Sequence, residues 1–394
     1  MTNNYFRLAQ QVILYLEEQG FQAYIVGGAV RDAILQRKVE DIDIATSAHP
    51  EEVQRIFSKV IPTGIQHGTV LVRYQNESFE VTTFRTESTY SDSRRPDNVL
   101  FVSNLQDDLA RRDFTMNAIA MNRSLELIDP FYGQQDIEYK LIRTVGKAKE
   151  RFLEDALRMM RAIRFQSQLG FEIEKTALLA IQQNRQRLSK IAVERIAVEW
   201  EKTIRGNYFL EAKKSLFSTG LFQYLPLLNN DKQVEIAIKE IHRPLPSFAV
   251  FIAYMNISVQ KIAITDWTTQ WKLSNQIKKD SKTLVQLILQ YQSEALRWIV
   301  YQLPFHLSED FCVLTELSSN HAISMQNLLN EKKTLVIQSR NELVVTGNDI
   351  ISFFPDRSKG SWIQELLFQV EQAVVLEKVD NTKTAIREWL KNGS

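Results

Sequence analysis

The residues that most constrain this chain stand at positions 40–45, EDIDIA, where Asp41 and Asp43 alternate with Ile42 and Ile44. A period of two belongs to a strand, so both carboxylates project from one face and both isoleucines from the other, toward a core. Two carboxylates held side by side repel unless a proton or a cation joins them. Magnesium is the natural partner: it is hard, takes oxygen ligands, and is commonly held by one or two carboxylates together with substrate phosphates. On these six residues alone a solvated strand face remains an open alternative.

The flanking residues build a small α/β unit around this strand. FQAYIVGG reads as a strand ending at two glycines, and AVRDAILQ as a short helix after them. No third glycine follows at the spacing of a dinucleotide fingerprint. Adjacent glycines still let backbone approach a ligand, and the helix start can hold phosphate oxygens; a tight turn is the plain alternative. PEEVQRIF is a helix with Pro50 in its first turn. GTVLVRYQ and SFEVTTFR form two strands around a polar turn near Asn76, a hairpin in a sheet of mixed or antiparallel type. In the second of these strands Glu80 alternates with Phe79 and Val81, which supplies a third carboxylate. Three carboxylates on adjacent strands suit in-line nucleotidyl transfer assisted by one or two metals. Residues 86–104, TESTYSDSRRPDNVLFVSN, read as a mobile polar loop. LQDDLARRDFTMNAIAMN then starts as a helix, and LELIDP returns to a strand.

From Lys149 onward the pattern is helical and amphipathic. Asp155, Arg158, Arg161 and Arg164 recur every three residues. On one helix they drift by about 60° per step and cover roughly half its circumference, opposite Ala156, Met159, Met160 and Ile163. A solvated basic helix with internal ion pairs and a ligand-binding face both fit.

Composition narrows the classes. A chain of 394 residues has ample length for a core and for two to four domains. The formal net charge is +1, so any nucleic-acid contact needs a local basic patch. Lys278-Lys279 and Lys332-Lys333 are candidates, and paired lysines are also ordinary surface. The lone Cys312 excludes an intramolecular disulfide and a cysteine-rich zinc site. The five histidines are scattered, with no His-Asp dyad of the phosphohydrolase kind. There is no signal-peptide pattern and no run of 18 apolar residues, so the expectation is a cytoplasmic chain without a membrane partner.

Five segments, in order, resemble the motifs of the tRNA nucleotidyltransferase and poly(A) polymerase family, class II of the polymerase-β-like nucleotidyltransferases, in its Gram-positive bacterial form. They are GGAVRDAILQRKVEDIDIAT (27–46), RRDFTMNAIA (111–120), IDPFYGQQDI (128–137), RFLEDALRMMRAIRFQSQLGF (151–171) and AVERIAVEWEK (192–202). They cover about the first half of the chain, and their shared order is far more specific than any one of them. The resemblance implies an α+β fold: a polymerase-β-like nucleotidyltransferase head with a small mixed sheet, then an elongated all-helical body. The corresponding segments are a head at 1–148, a nucleotide-selecting neck at 149–210, a body at 211–335 and a tRNA-binding tail at 336–394.

The resemblance also implies roles. Asp41, Asp43 and Glu80 are the catalytic carboxylates, and Asp41 and Asp43 hold Mg2+. Gly28, Arg31, Arg112 and Asp113 match contacts to the nucleotide's phosphates and sugar, with Asp32 bracing Arg31 or the turn. Arg111 and Arg112 could equally pair with Asp107 or Asp108 on the surface. Asp155 and Arg158 match an acceptor–donor pair that reads the base. Cytosine and adenine both carry an exocyclic amino group beside a ring-nitrogen acceptor, and such a pair rejects uracil and guanine. Glu154 orients the pair, while Arg161 and Arg164 match further nucleotide contacts. The implied reaction is template-independent addition and repair of the 3′-terminal CCA of tRNA from CTP and ATP. A CC-only or A-only enzyme, a poly(A) polymerase and a non-catalytic tRNA-binding protein are the alternatives, and a homodimer stays open. The 86–104 segment resembles the loop that helps switch from C to A addition. Two departures stand out: Gln36 replaces a usual glycine, and the IDPFYGQQDI segment has one glycine, Gly133, where relatives commonly have two.

Overall fold

Strand β1 (Ala23–Val26), AYIV, is an apolar run that needs cover, and the preceding helix α1 (Asn4–Glu18) supplies it. Leu8, Ala9, Val12, Ile13 and Leu16 recur at helical spacing on α1 and are buried. The chain then turns at Gly27 into helix α2 (Gly28–Ile34) and returns as strand β2 (Asp43–Thr46). Helix α3 (Pro50–Ile56) leads to strands β3 (Val60–Gly64), β4 (Thr69–Tyr74) and β5 (Glu77–Thr83). This computed structural model describes residues 4–87, 99–228, 231–318 and 321–392, and the chain divides into two units, Met1–Asp231 and Lys232–Ser394.

The sheet of the first unit is mixed. Its order is β3-β4-β5-β2-β1, completed by two short strands, β8 (Ala120–Met121) and β9 (Leu127–Ile128). All neighbours are antiparallel except β2 and β5, which run parallel with Asp43 opposite Glu80 and Ile44 opposite Val81. The β4–β5 hairpin turns on Gln75 and Asn76, both with positive φ, as a two-residue type I′ turn requires.

Of the 86–104 segment, expected as a mobile loop, residues 88–98 lie outside the described residues. Its described ends are regular. Strand β6 (Arg85–Glu87) pairs antiparallel with β7 (Val99–Phe101), so the segment is rooted in a two-stranded ribbon. Three residues at each end are too few to display a period of two within a polar stretch.

Helix α4 (Leu105–Ala110) and helix α5 (Gly133–Glu138) flank the RRDF segment in sequence, and the neck follows as α6 (Ala148–Glu154), α7 (Leu157–Leu169), α8 (Lys175–Asn184) and α9 (Val193–Ile204). One expectation is corrected here. Asp155 does not share a helix with the three arginines; it lies in the break between α6 and α7, with φ −135° and ψ 108°. Its carboxylate accepts from Leu157 N–H at 2.9 Å, so a local side-chain-to-backbone bond starts a new helix where periodicity alone would continue the old one. Ala156, Met159, Met160 and Ile163 are buried as expected, but Arg158 and Arg164 are buried too, so α7 is not a solvated basic helix.

Left-handed backbone is found at Gln36 and beside the single glycine of the IDPFYGQQDI segment. Gln36 has φ +55° and Tyr132, just before Gly133, has φ +60°. A side chain there costs about 1 kcal/mol, which glycine avoids while losing a similar amount of unfolded-chain entropy. Gln36→Gly is therefore expected to leave stability within about 0.5 kcal/mol of wild type or slightly raise it. The β-branched Gln36→Val is expected to cost roughly 1–2 kcal/mol, both read by urea denaturation.

The second unit is helical throughout its described elements. The helix Phe248–Ser258 is apolar all round and buried, with Phe248 and Phe251 edge-on to Trp271 and Trp267. The helices Asn275–Tyr291 and Ser308–Ser318 pack against it. Among the described residues no helix is long and apolar enough to cross a membrane.

Candidate active site

Asp43 opens strand β2, and Asp41 and Ile42 lie in the extended residues just before it. Ile42 and Ile44 are buried, while Asp41 and Asp43 open outward, and Glu80 stands opposite Asp43 on the parallel neighbour. Among the described residues the three carboxylates accept no hydrogen bond and enter no ion pair. Asp43 carries the cost. Protein crowding around it raises its carboxyl to about 6, Glu80 and Asp41 push the same way, and Arg112 pulls back. The described side chains do not close into a ready cage of three or more ligands. Asp41 and Asp43 are thus two neighbouring carboxylates with no ion-pair partner among the described residues.

Asp43 borders two cavities. The larger, about 660 Å³, is lined by Gly28, Arg31, Asp32, Asp41, Asp43 and Arg164, among others. The smaller, about 180 Å³, is lined by Asp43, Glu80, Thr69, Thr82, Arg85, Arg111 and Arg112. Aspartate thus separates two recesses whose walls are rich in guanidinium.

Four of the lining arginines, Arg31, Arg111, Arg112 and Arg164, are each held by an acid. Arg31 donates to both oxygens of Asp32, at 3.0 and 2.9 Å, and to Asn117 Oδ1 at 2.8 Å. Arg111 and Arg112 both pair with Asp108, which is 1% exposed. Burial opposes the charge on Asp108, but the two guanidiniums outweigh it and hold its carboxyl below the usual range. The pairing expected as a surface alternative is therefore real, yet internal. Arg112 also reaches the glycine turn: a Cβ on Gly27 would lie 3.0 Å from its Nη1 and 3.9 Å from Asp43 Oδ2.

The neck residues come together mostly through partners that the sequence reading did not assign, Glu154 beside Arg158 excepted. Asp155 and Arg158 do not pair with each other. Arg158 donates to Glu154 at 2.6 Å and to the Arg111 carbonyl at 3.0 Å, and Glu154 also accepts from Arg151 at 2.9 Å. Asp155 Oδ2 accepts from Arg195 of α9 at 2.8 Å. Asp113 is buried and committed: it accepts from Arg161 at 2.6 Å, from Asn117 at 3.1 Å and from Phe114 N–H at 2.8 Å. Burial works against its charge, and Arg161 leads the contacts that hold the carboxyl well below its ordinary value. Glu199 pairs with Arg164 at 2.7 Å and reaches Arg161 at 3.8 Å. Burial draws Arg164 down to about 10, which leaves it charged at neutral pH. Arg195 and Glu199 stand four apart on α9, a spacing that places them on one helix face and was the available signal.

Family models match most of the chain. Residues 23–143 match a poly A polymerase head domain, residues 170–232 a probable RNA and SrmB-binding site of polymerase A, and residues 247–390 a putative tRNA nucleotidyltransferase domain 2. The CCA-adding enzyme of Oceanobacillus iheyensis is 43% identical over 392 residues, covering 99% of this chain and 98% of its own. That of a Geobacillus species is 43% identical over 393 residues, covering 98% and 96%. The crystal structure of the Bacillus stearothermophilus CCA-adding enzyme in complex with CTP superposes with a TM-score of 0.84 at 36% identity, covering 98% of this chain and 97% of that one. With near-complete coverage, an ordered set of motifs and a carboxylate site between arginine-walled recesses, the chain belongs to the bacterial CCA-adding enzymes of the class II tRNA nucleotidyltransferase and poly(A) polymerase family.

Proposed function

We propose that this chain completes and repairs the 3′-terminal CCA of tRNA without a template, using CTP and ATP and releasing pyrophosphate. The observation that carries the reading is Asp43, unpaired by any ion-pair partner among the described residues and set between two guanidinium-walled recesses. A nucleoside triphosphate is polyanionic and needs cationic walls; a hydroxyl attacking its α-phosphorus needs a neighbouring place for the RNA end.

The donor set at Asp41 and Asp43 fits Mg2+: hard oxygens only, mutually repelling, and short of neutralising partners. When bound there, a divalent cation would neutralise phosphate charge and favour the ionised form of the attacking hydroxyl. Glu80 faces the smaller recess, where we place the tRNA 3′ end, and Gly28, Arg31 and Arg164 face the larger, where we place the triphosphate. Arg112 spans from Asp108 to the Asp43 side and serves both. Asp113 and Glu154 position Arg161 and Arg158 through the ion pairs they hold. Asp155 and Arg158, each anchored by another partner, present the acceptor and donor that read cytosine and adenine. We place this activity in the cytoplasm.

Three tRNA transcripts test the reading: one lacking CCA, one ending after the first C and one after the second. Extension of each, with termination after A, is expected. Absence of CTP incorporation would sink it, and repeated ATP addition would favour poly(A) synthesis. Arg158→Ala is expected to lower the preference for CTP over UTP by about 10- to 100-fold, the loss of one bidentate base contact. Competition among the four nucleotides measures it, and an unchanged preference removes Arg158 from base selection.

A further inference from the structure

Three guanidiniums converge on one aromatic ring. Arg164 lies 4.0 Å from the centroid of Phe165, Arg31 5.1 Å and Arg161 5.4 Å. They come from separate places, Arg31 from α2 and the others from α7. The ring is 3% exposed and edge-on to Phe114 at 5.6 Å, so its position is fixed by the core. Three like charges around one point repel. Asp32, Asp113 and Glu199 offset this by pairing with the arginines from outside. A fourth carboxylate in the middle would draw them together further, but it would cancel the positive charge facing the larger cavity. The face of an aromatic ring attracts cations through its quadrupole and carries no net charge.

The geometry points to Phe165 as a positioning residue of the triphosphate site, a neutral hub that gathers Arg31, Arg161 and Arg164 while leaving their charge available to a nucleoside triphosphate. Phe165 touches no substrate; it acts through the arginines, two of which line the larger cavity. This rests on the assignment of that cavity to the triphosphate under the proposed function. Because the hub holds phosphate-binding groups and its arginines take no part in the Asp155–Arg195 and Glu154–Arg158 pairs, its loss should weaken CTP and ATP alike and leave base choice untouched.

The test replaces Phe165 in the full-length chain with phenylalanines carrying one, three or five ring fluorines, which drain the quadrupole at nearly constant shape. Phe165→Leu and Phe165→Tyr accompany the series. The expected result is a stepwise rise of KM for both CTP and ATP, reaching about tenfold for the pentafluoro ring and for Phe165→Leu. Expected with it are kcat within about twofold, near-wild-type KM for Phe165→Tyr, an unchanged CTP-to-UTP preference and, along the fluorinated series, an unchanged melting temperature, whereas Phe165→Leu also loses core packing and melts lower. Calorimetric titration with CTP in the absence of tRNA should show the same ordering in Kd, and it reads the site independently of transfer. A flat series in KM and Kd would overturn the hub. So would a melting temperature that falls in step with KM along the fluorinated series, since that marks packing alone. Wild-type protein that binds CTP with the expected ordering among variants yet adds no CCA would instead overturn the functional reading.

Discussion

Asp43→Asn is expected to abolish CCA addition and, in metal-free buffer near neutral pH, to melt at a higher temperature than wild type. The two effects share a cause. The folded protein raises the Asp43 carboxyl to about 6, chiefly through burial and then through Glu80. A folded value above the unfolded one means the native state binds that proton more tightly. The stabilising contribution is therefore complete below about pH 4, where both states are protonated, and it is lost as pH rises through 6. Above that pH the ionised carboxylate opposes folding, and asparagine removes the opposition. Asp43 opens to solvent, so the full shift overstates the gain; about 1 kcal/mol is the expected size after allowing for screening. That corresponds to roughly 2–4 °C in the unit that contains it. Melting curves from pH 4 to 8 check the sign: the two proteins should converge at the acid end, and added Mg2+ should narrow the gap near neutrality by stabilising the wild type. A variant that melts lower than wild type across that range would show that the carboxylates are not in mutual conflict.

Gly133→Ala is expected to be the most damaging methyl addition in the head. A Cβ at this position would lie 2.2 Å from the carbonyl oxygen of Thr115 and 2.8 Å from Cγ1 of Ile119. The first contact is with backbone, which no rotamer change relieves. Nor can α5 easily retreat, because Asp129 accepts from the N–H of both Gly133 and Gln134, at 2.7 and 2.9 Å, and Thr115 Oγ1 donates to Asp136 at 2.6 Å. The segment that must yield runs through Asp113 and Asn117, which anchor Arg161 and Arg31. A loss of about 3 kcal/mol or more is expected, at the upper end of overpacking costs, together with a large loss of activity. Urea denaturation beside Tyr132→Gly provides the contrast, since that change relieves a left-handed residue and should cost nothing. If Gly133→Ala folds with wild-type stability, the close approach of α5 to Thr115 is not a feature of the molecule.

What the sequence revealed and what it concealed divide along physical lines. The alternation of Asp41 and Asp43 with two isoleucines was legible because a half-buried strand leaves that period in its residues, and the Gln75-Asn76 hairpin was legible from its polar turn. The parallel direction and register of β2 against β5 were not, since a parallel contact between separated segments leaves no local mark. At Asp155 the helical spacing misled. One carboxylate bonded to the backbone N–H two residues on breaks the helix, and four residues read as one face divide among three ion-pair networks. Periodicity tells which side a charged residue occupies, not which partner it meets, so Arg195 and Glu199 stayed hidden although they hold Asp155 and Arg164 in place. The burial of Arg158 likewise depends on contacts from another element, the Arg111 carbonyl among them.

The one parallel pairing in the sheet bears on which length changes this lineage can accept. The tip at Gln75-Asn76 lies beyond the last paired residues of the hairpin, Tyr74 and Glu77. Residues gained or lost there leave the Asp43–Glu80 register unmoved. A single residue gained within Glu80–Thr83 would instead turn the strand over, sending an apolar side chain toward the carboxylates or a carboxylate toward the core. Length variation in this hairpin should therefore collect at its tip, and homologues that differ in length between Phe79 and Phe84 should be scarce among active members.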